Sequence, residues 1–155
     1  MQNALTINEL KNKLEHFCAY QERCHDEVIT KLRSFRIDQS EIDEVVVHLI
    51  SENYLNEERF AQSFARGKHR IKNWGKVRIV SELKARNISQ TNINTALKEI
   101  TEDDYIAAFD NLAERHWQTL SGPNDLKKRK KFCDYLIRKG YENDLIYQKA
   151  RSLEK

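Results

Sequence analysis

Six apolar positions of this chain recur three times at a nearly constant spacing, and no other feature constrains the fold as tightly. Val28, Leu32, Ile37, Ile42, Val46 and Leu49 are matched 51 residues later by Ile79, Leu83, Ile88, Ile93, Leu97 and Ile100. Another 53 residues on stand Phe132, Leu136, Tyr141, Ile146, Ala150 and Leu153. Self-similarity of this length marks a repeat architecture, in which one small module cannot bury its apolar face alone and neighbours extend the core. Apolar residues recur at helical spacing, and strand-length alternation is absent. The expected fold class is all-α: three tandem three-helix repeats, residues 1–53, 54–101 and 102–155, forming an elongated, curved array in which each unit leans chiefly on the next.

Helix starts and stops fit that division. Thr6 with Glu9, Asp38 with Glu41 and Thr101 with Asp104 each place a capping oxygen three residues before a carboxylate, and Asn56 and Ser89 are simpler N-cap candidates. Stops are expected near Arg36-Ile37, at Asn87 and at Gly140, the last two being residues that tolerate left-handed backbone. The leading helices of the units then span residues 6–20, 56–72 and 102–120, and Ser121-Gly122-Pro123-Asn124 is a loop. With 39% hydrophobic and 33% charged residues, only four Gly and one Pro, the chain suits thin helical cores and much solvated surface.

Charge is distributed unevenly. Residues 1–60 carry seven Lys/Arg against twelve Asp/Glu, whereas residues 61–155 carry twenty against twelve. A chain polarised in this way favours a charged partner, either nucleic acid or a protein surface beside it. No apolar run approaches the roughly 20 residues that span a bilayer, and the start lacks a basic segment followed by an apolar one, so a soluble, cytoplasmic protein without membrane association is expected. Cys18, Cys24 and Cys133 are an odd number without framework spacing, as free thiols in a reducing compartment would be.

The block Tyr54-Leu55-Asn56-Glu57-Glu58-Arg59-Phe60-Ala61, then Trp74-Gly75, then Ile79, Leu83, Ile88, Ile93 and Ala96-Leu97, resembles the signature of the RecX family. The resemblance is specific for the middle unit and rests at both ends on tandem helical units and basic character. It implies a small bacterial regulatory protein that binds along the groove of the filament of the RecA recombinase on DNA. It further implies restraint of filament growth, ATP hydrolysis and strand exchange, with consequences for DNA repair, recombination and the SOS response. No catalytic residue, metal or cofactor is implied, and a monomer is expected. Asn53 and Asn87 stand where the family usually has Gly, which keeps tolerance of left-handed backbone. Asn56 replaces the usual Asp, keeping the capping oxygen and losing a charge.

Arg66, Lys68, Arg70, Lys72, Lys76, Arg78, Lys84 and Arg86 face a single acid, Glu82, over the same span. They could form a positive strip along a phosphate backbone or an acidic filament face, or simply a solvated helix surface. Trp74 could stack on a base or anchor an interface, and could equally be a packed turn in which Gly75 lets two helices approach. Lys127, Lys128, Arg129, Lys130 and Lys131 cannot all point one way on a helix, so a general electrostatic contact is expected of them, or a solubilising face. Tyr54, Phe60 and Phe64 suit a packed junction between the first and second units, with Asn56, Gly75, Leu83 and Ile88 as further structural positions of the motif. His16, Cys18, Cys24 and His25 match no structural-zinc spacing. A Gly-rich phosphate loop, a Ser-His-Asp arrangement and a paired-carboxylate site are all absent from the sequence, so an enzyme is not expected. The alternative to a RecA regulator is a helical repeat protein that binds nucleic acid directly, without sequence preference or RecA dependence.

Overall fold

The computed structural model describes residues 5–155. Among them lie nine α-helices and no strand: α1 Ile7–Tyr20, α2 His25–Arg33, α3 Gln39–Ser51, α4 Glu57–Lys72, α5 Lys76–Ala85, α6 Gln90–Leu97, α7 Glu102–Thr119, α8 Leu126–Lys139 and α9 Asn143–Leu153. Seven of the nine helices start where a side chain meets an orphan amide; α5 at Gly75 and α9 at Glu142 do not. Thr6 and Asp38 form reciprocal boxes with Glu9 and Glu41, while Asn56 and Ser89 accept from the amides of Arg59 at 2.9 Å and Asn92 at 3.2 Å. Thr101 accepts from the Asp104 amide at 3.1 Å. Two starts lacked an obvious signature: Asp125 caps α8 through the Lys128 amide at 3.0 Å, and at α2 the Glu27 carboxylate reaches back to the Cys24 N–H at 3.2 Å.

Five of the nine helices stop on left-handed backbone. Arg36, Asn53, Asn73 and Asn87 have φ near 60°, and Gly140 has φ 98°. Asn pays little for this conformation because its short polar side chain bonds locally.

The first helix of each unit packs against the third: α1 on α3, α4 on α6, and α7 on both α8 and α9. Of the recurring apolar positions, Val28, Leu32, Ile42 and Leu49, then Ile79, Leu83, Ile88, Ile93 and Ile100, then Phe132, Leu136, Tyr141, Ile146 and Ala150 are buried. Ile37, Val46, Leu97 and Leu153 are only half-buried. Counting from the caps Asp38, Ser89 and Glu142 explains the slip. The position seven residues on is buried as Val45 and Ala96 but is Lys149 in the third unit, where its ammonium pairs with Glu114 at 2.9 Å and Asp110 at 3.4 Å on α7. Burial of that turn therefore moves to Ala150.

Stacking does not extend evenly. Leu10, Leu14, Cys18, Val28, Leu32, Ile42, Val45 and Leu49 form a core of the first unit, closed by Leu55 from the segment that leads into α4. The second and third units share one core, from Phe60 to Ala150, to which the first unit contributes only Cys24. The expectation that every unit leans chiefly on the next is corrected here: the first unit closes its own core and lends only Cys24 to the shared one. The accessible surface, 9840 Å², exceeds the roughly 8,200 Å² of a compact globule of this mass by about a fifth, as an extended arrangement of units requires.

Two contrasting joints hold the units together. Between the first and second, Arg59 on α4 binds Glu22 with Nε at 2.6 and 2.8 Å from its two oxygens and donates to the carbonyls of Asn53 and Tyr54. The His25 amide donates to Glu57 at 3.1 Å, and Asn87 donates to Asp26 at 2.7 Å. Between the second and third, the N-terminus of α5 abuts the C-terminus of α8, with the Gly75 amide donating to the Lys139 carbonyl at 2.7 Å and the Val77 amide to that of Gly140 at 2.9 Å. Orphan amides of one helix thus satisfy orphan carbonyls of another, with favourable dipole alignment. Tyr105 completes this joint: its buried hydroxyl accepts from the Lys76 amide at 3.0 Å and donates to Glu142.

Candidate functional site

The basic strip is built by the last two turns of α4, the turn Asn73-Trp74-Gly75 and helix α5. Arg70 and Lys72 crowd the end of α4 beside His69, where cations suit the carbonyl pole of the helix. Left-handed Asn73 ends the helix and lets the Trp74 amide reach back to the Lys68 carbonyl at 3.1 Å. His69, 5% exposed, carries its proton on Nδ1, because the atom it meets at 3.0 Å is the Trp74 carbonyl, which only accepts. This bond locks the turn and aims Trp74 back over α4.

Tertiary contacts divide the strip into three groups. Arg66, Lys76 and Arg86 are engaged: Arg66 with Glu99, Lys76 with Glu102 at 3.8 Å and over the Tyr105 ring at 4.5 Å, and Arg86 with Glu82 at 2.9 Å. Glu82 is therefore not the only acid on this face, because the fold brings in Glu99 and Glu102 from beyond the segment. Lys68, Arg78 and again Arg86 lie over aromatic rings. The Arg78 guanidinium is 4.1 Å and the Lys68 ammonium 5.1 Å from the Trp74 centroid, Arg86 is 4.9 Å from that of Phe64, and the two rings meet edge-on at 6.1 Å. Cations held so over ring faces gain from the quadrupole as well as from packing their stems. Only Arg70, Lys72 and Lys84 remain exposed without an ion pair among the described residues. Beside them Ile71 is 78% exposed.

Trp74 itself is half-buried and packs on the shared core. Its geometry is that of a packed turn capped by Arg78 and Lys68, with Gly75 buried beneath. The motif aromatics separate: Tyr54 lies against the core of the first unit, Phe60 is inside the shared core, and Phe64 spans from that core to the cation cluster. They do not form a single junction. Leu83 and Ile88 are core residues, and Asn56 caps α4. Arg59, which binds both Glu22 and the linker carbonyls, is the joint residue that the sequence hid, since an Arg in a first helical turn has no local partner to announce it.

The run on α8 also divides. Arg129 pairs with Glu154, holding that carboxyl below the usual range, and Lys130 pairs with Asp134 at 2.7 Å. Lys127, Lys128 and Lys131 instead line an open groove with the α7–α8 turn. Lys128 is positioned over the Trp117 ring at 4.3 Å and donates to Asn124 at 3.1 Å.

The three cysteines are buried and unpaired, and burial pushes each thiol up. Cys18 sits in one core and Cys24 in the other. None of the helices among the described residues is long and apolar enough to cross a membrane.

Comparison with known proteins places these features. Residues 56–97 match the family model described as RecX, second three-helix domain, and residues 102–149 match RecX, third three-helix domain. The first match begins at the Asn56 cap and the second at the first residue of α7. The protein named Regulatory protein RecX of Bacillus cytotoxicus is 27% identical over 130 residues, covering 84% of this chain and 48% of that protein. Its namesake in Oceanobacillus iheyensis is 24% identical over 141 residues, 91% of this chain and 52% of its own. The chain thus spans about half the length of the curated relatives it matches. The crystal structure of RecX from Lactobacillus salivarius superposes with TM-score 0.77 at 25% identity, covering 96% of both chains. A second crystal structure of regulatory protein RecX shares the fold at TM-score 0.82 and 17% identity, over 94% of this chain and 73% of that one. With two successive domain models matched over more than half of its residues, the chain belongs to the RecX family of regulatory proteins.

Proposed function

We propose that this chain docks on the filament that RecA forms on DNA and restrains it by occupancy. The RecX resemblance supplies the partner, and the observation that carries the reading is the trio Arg70, Lys72 and Lys84. These are the cations of the strip from Arg66 to Arg86 left exposed and unpaired among the described residues, while their neighbours are consumed by internal pairs and rings. Unpaired cations on a rigid helical scaffold steer association with an anionic surface and lose little ordering entropy on binding. The acidic first unit, joined through Arg59, would meet a more basic patch. Nothing in this reading calls for catalysis, and the protein would act in the cytoplasm as a monomer.

The test is RecA-catalysed ATP hydrolysis on single-stranded DNA, titrated with this protein. Inhibition near stoichiometric ratios is expected, and the triple variant Arg70→Glu, Lys72→Glu, Lys84→Glu should need about tenfold more protein for the same effect. Unchanged hydrolysis at stoichiometric ratios removes the reading. The lysine-lined groove of α8 favours a second one, direct and RecA-independent binding of nucleic acid. Equal affinity for bare single strands and for filaments would select it.

A further inference from the structure

Three of the five consecutive basic residues on α8 converge, and the two that do not are neutralised. On a helical wheel Lys127, Lys131 and Lys128 fall within an arc of about 100°, whereas Arg129 and Lys130 fall outside it. Arg129 turns to Glu154, and Lys130 is tied to Asp134. The convergent three line a concave groove of about 470 Å³ whose other wall is the α7–α8 turn, Thr119 to Pro123, with Asp125 at its edge. The Asp125 carboxylate, which accepts from the Lys128 amide at 3.0 Å, is the one acid of the lining against three ammonium groups, so the groove keeps an excess of positive charge. Its volume lies in the range of sites that hold a small polar ligand.

The groove is also partly preorganised. Lys128 is held from two sides, by Asn124 at 3.1 Å and by the Trp117 ring at 4.3 Å. Trp117 is in turn fixed edge-on against buried Phe132 at 5.3 Å. Lys127 and Lys131 form no ion pair among the described residues and lie about 6 Å apart along the helix axis. Ammonium groups act as point charges on phosphate oxygens and read no sequence. We propose that Lys127, Lys128 and Lys131 form a phosphate-binding groove for the backbone of a nucleic acid, on the third unit and separate from the Arg70, Lys72 and Lys84 face. It does not depend on RecA.

Fluorescence anisotropy with a labelled oligothymidylate, in the absence of RecA and across a salt series, tests this. The variant Lys127→Gln, Lys128→Gln, Lys131→Gln is expected to bind at least about tenfold more weakly, and the slope of log affinity against log salt should flatten by about two units for three lost contacts on a single strand. The corresponding Lys→Arg triple should retain binding, which separates charge from folding. Competition with inorganic phosphate at matched ionic strength distinguishes sources of the same chemistry. Displacement only by polynucleotide assigns the groove to a nucleic-acid backbone, whereas displacement by free phosphate beyond the ionic-strength effect overturns that assignment in favour of a small-anion site. An unchanged affinity and slope in the Gln triple, or an equal loss in a triple Gln variant of Arg70, Lys72 and Lys84, also overturns the proposal. Because RecA is absent, failure here leaves the filament reading intact, and loss of ATPase inhibition without loss of oligonucleotide binding does the converse.

Discussion

A side chain at either Gly75 or Gly140 would collide across the joint between α5 and α8. A Cβ on Gly75 would meet the Gly140 carbonyl group and lie 2.6 Å from the Tyr141 amide nitrogen, and one on Gly140 would meet Arg78, 2.6 Å from its amide nitrogen. The obstructions are backbone atoms and the Arg78 Cβ fixed to them, none of which can swing aside. The shared core of the second and third units therefore depends on two residues 65 positions apart having no side chain.

Gly75→Ala and Gly140→Ala are each expected to cost about 1–3 kcal/mol from overpacking. Gly140→Ala should lose roughly a further 1 kcal/mol, since its φ of 98° is one that L side chains rarely adopt. Once one substitution has forced the helices apart, the second meets less resistance, so the double variant should lose less than the sum. Urea denaturation of the four proteins measures this; strict additivity would mean that the two glycines do not share one contact.

Trp74→Ala should destabilise the protein by about 2–4 kcal/mol, through loss of core packing and of the rings' contact with Arg78 and Lys68, while Trp74→Phe should recover most of it. Thermal unfolding checks the prediction. A residue serving only as an exposed contact would leave stability unchanged in both variants.

Tyr141 carries the one buried hydroxyl among the described residues that lacks a hydrogen-bond partner. Burial, then the Glu142 carboxylate, push it up to about 12 from the usual 10. Because the unfolded chain releases this proton at lower pH than the folded one, stability is full below about pH 10 and falls between about pH 10 and 12. Tyr141→Phe should thus be neutral or stabilising at pH 7, where it removes an unsatisfied group, and should lessen the alkaline loss. Denaturation midpoints at pH 7 and pH 11 decide it; an equal alkaline loss in the variant would assign the effect to other groups, Tyr105 first, whose hydroxyl is raised still further by burial and by Glu142.

Arg59→Met should release the first unit from the rest. The joint it holds is mainly polar, with Cys24 the single residue of the first unit in the shared core. Faster amide exchange is expected in α2 and around Asn53–Asn56 at moderate salt, with the shared core unaffected. Arg59→Lys should rescue poorly, because one ammonium cannot reproduce both the carboxylate pairing and the carbonyl bonds. Uniform exchange rates across the three proteins would show that the joint is held otherwise.

Much of the architecture was legible in the sequence, because it is written in local terms. Helix starts at Thr6, Asp38, Asn56, Ser89 and Thr101 follow from a side-chain oxygen beside orphan amides, and the recurrence from Val28 to Leu153 follows from a buried stripe on each helix pair. The slip at Lys149 escaped that reading, since its cause is two acids on α7 that are 35 and 39 residues away.

Sequence alone determined that this chain is helical, threefold repetitive and polarised in charge, since capping, periodicity and composition act within a few residues. Which cations are available to a partner was decided only by the tertiary structure. Arg66 and Lys76 look no different from Arg70 and Lys72 along the chain, and it is folding that sets Glu99 against the first and Glu102 with Tyr105 against the second. A charge is free or spent according to what lies across from it in space, and in a stack of short helices those neighbours come from other helices.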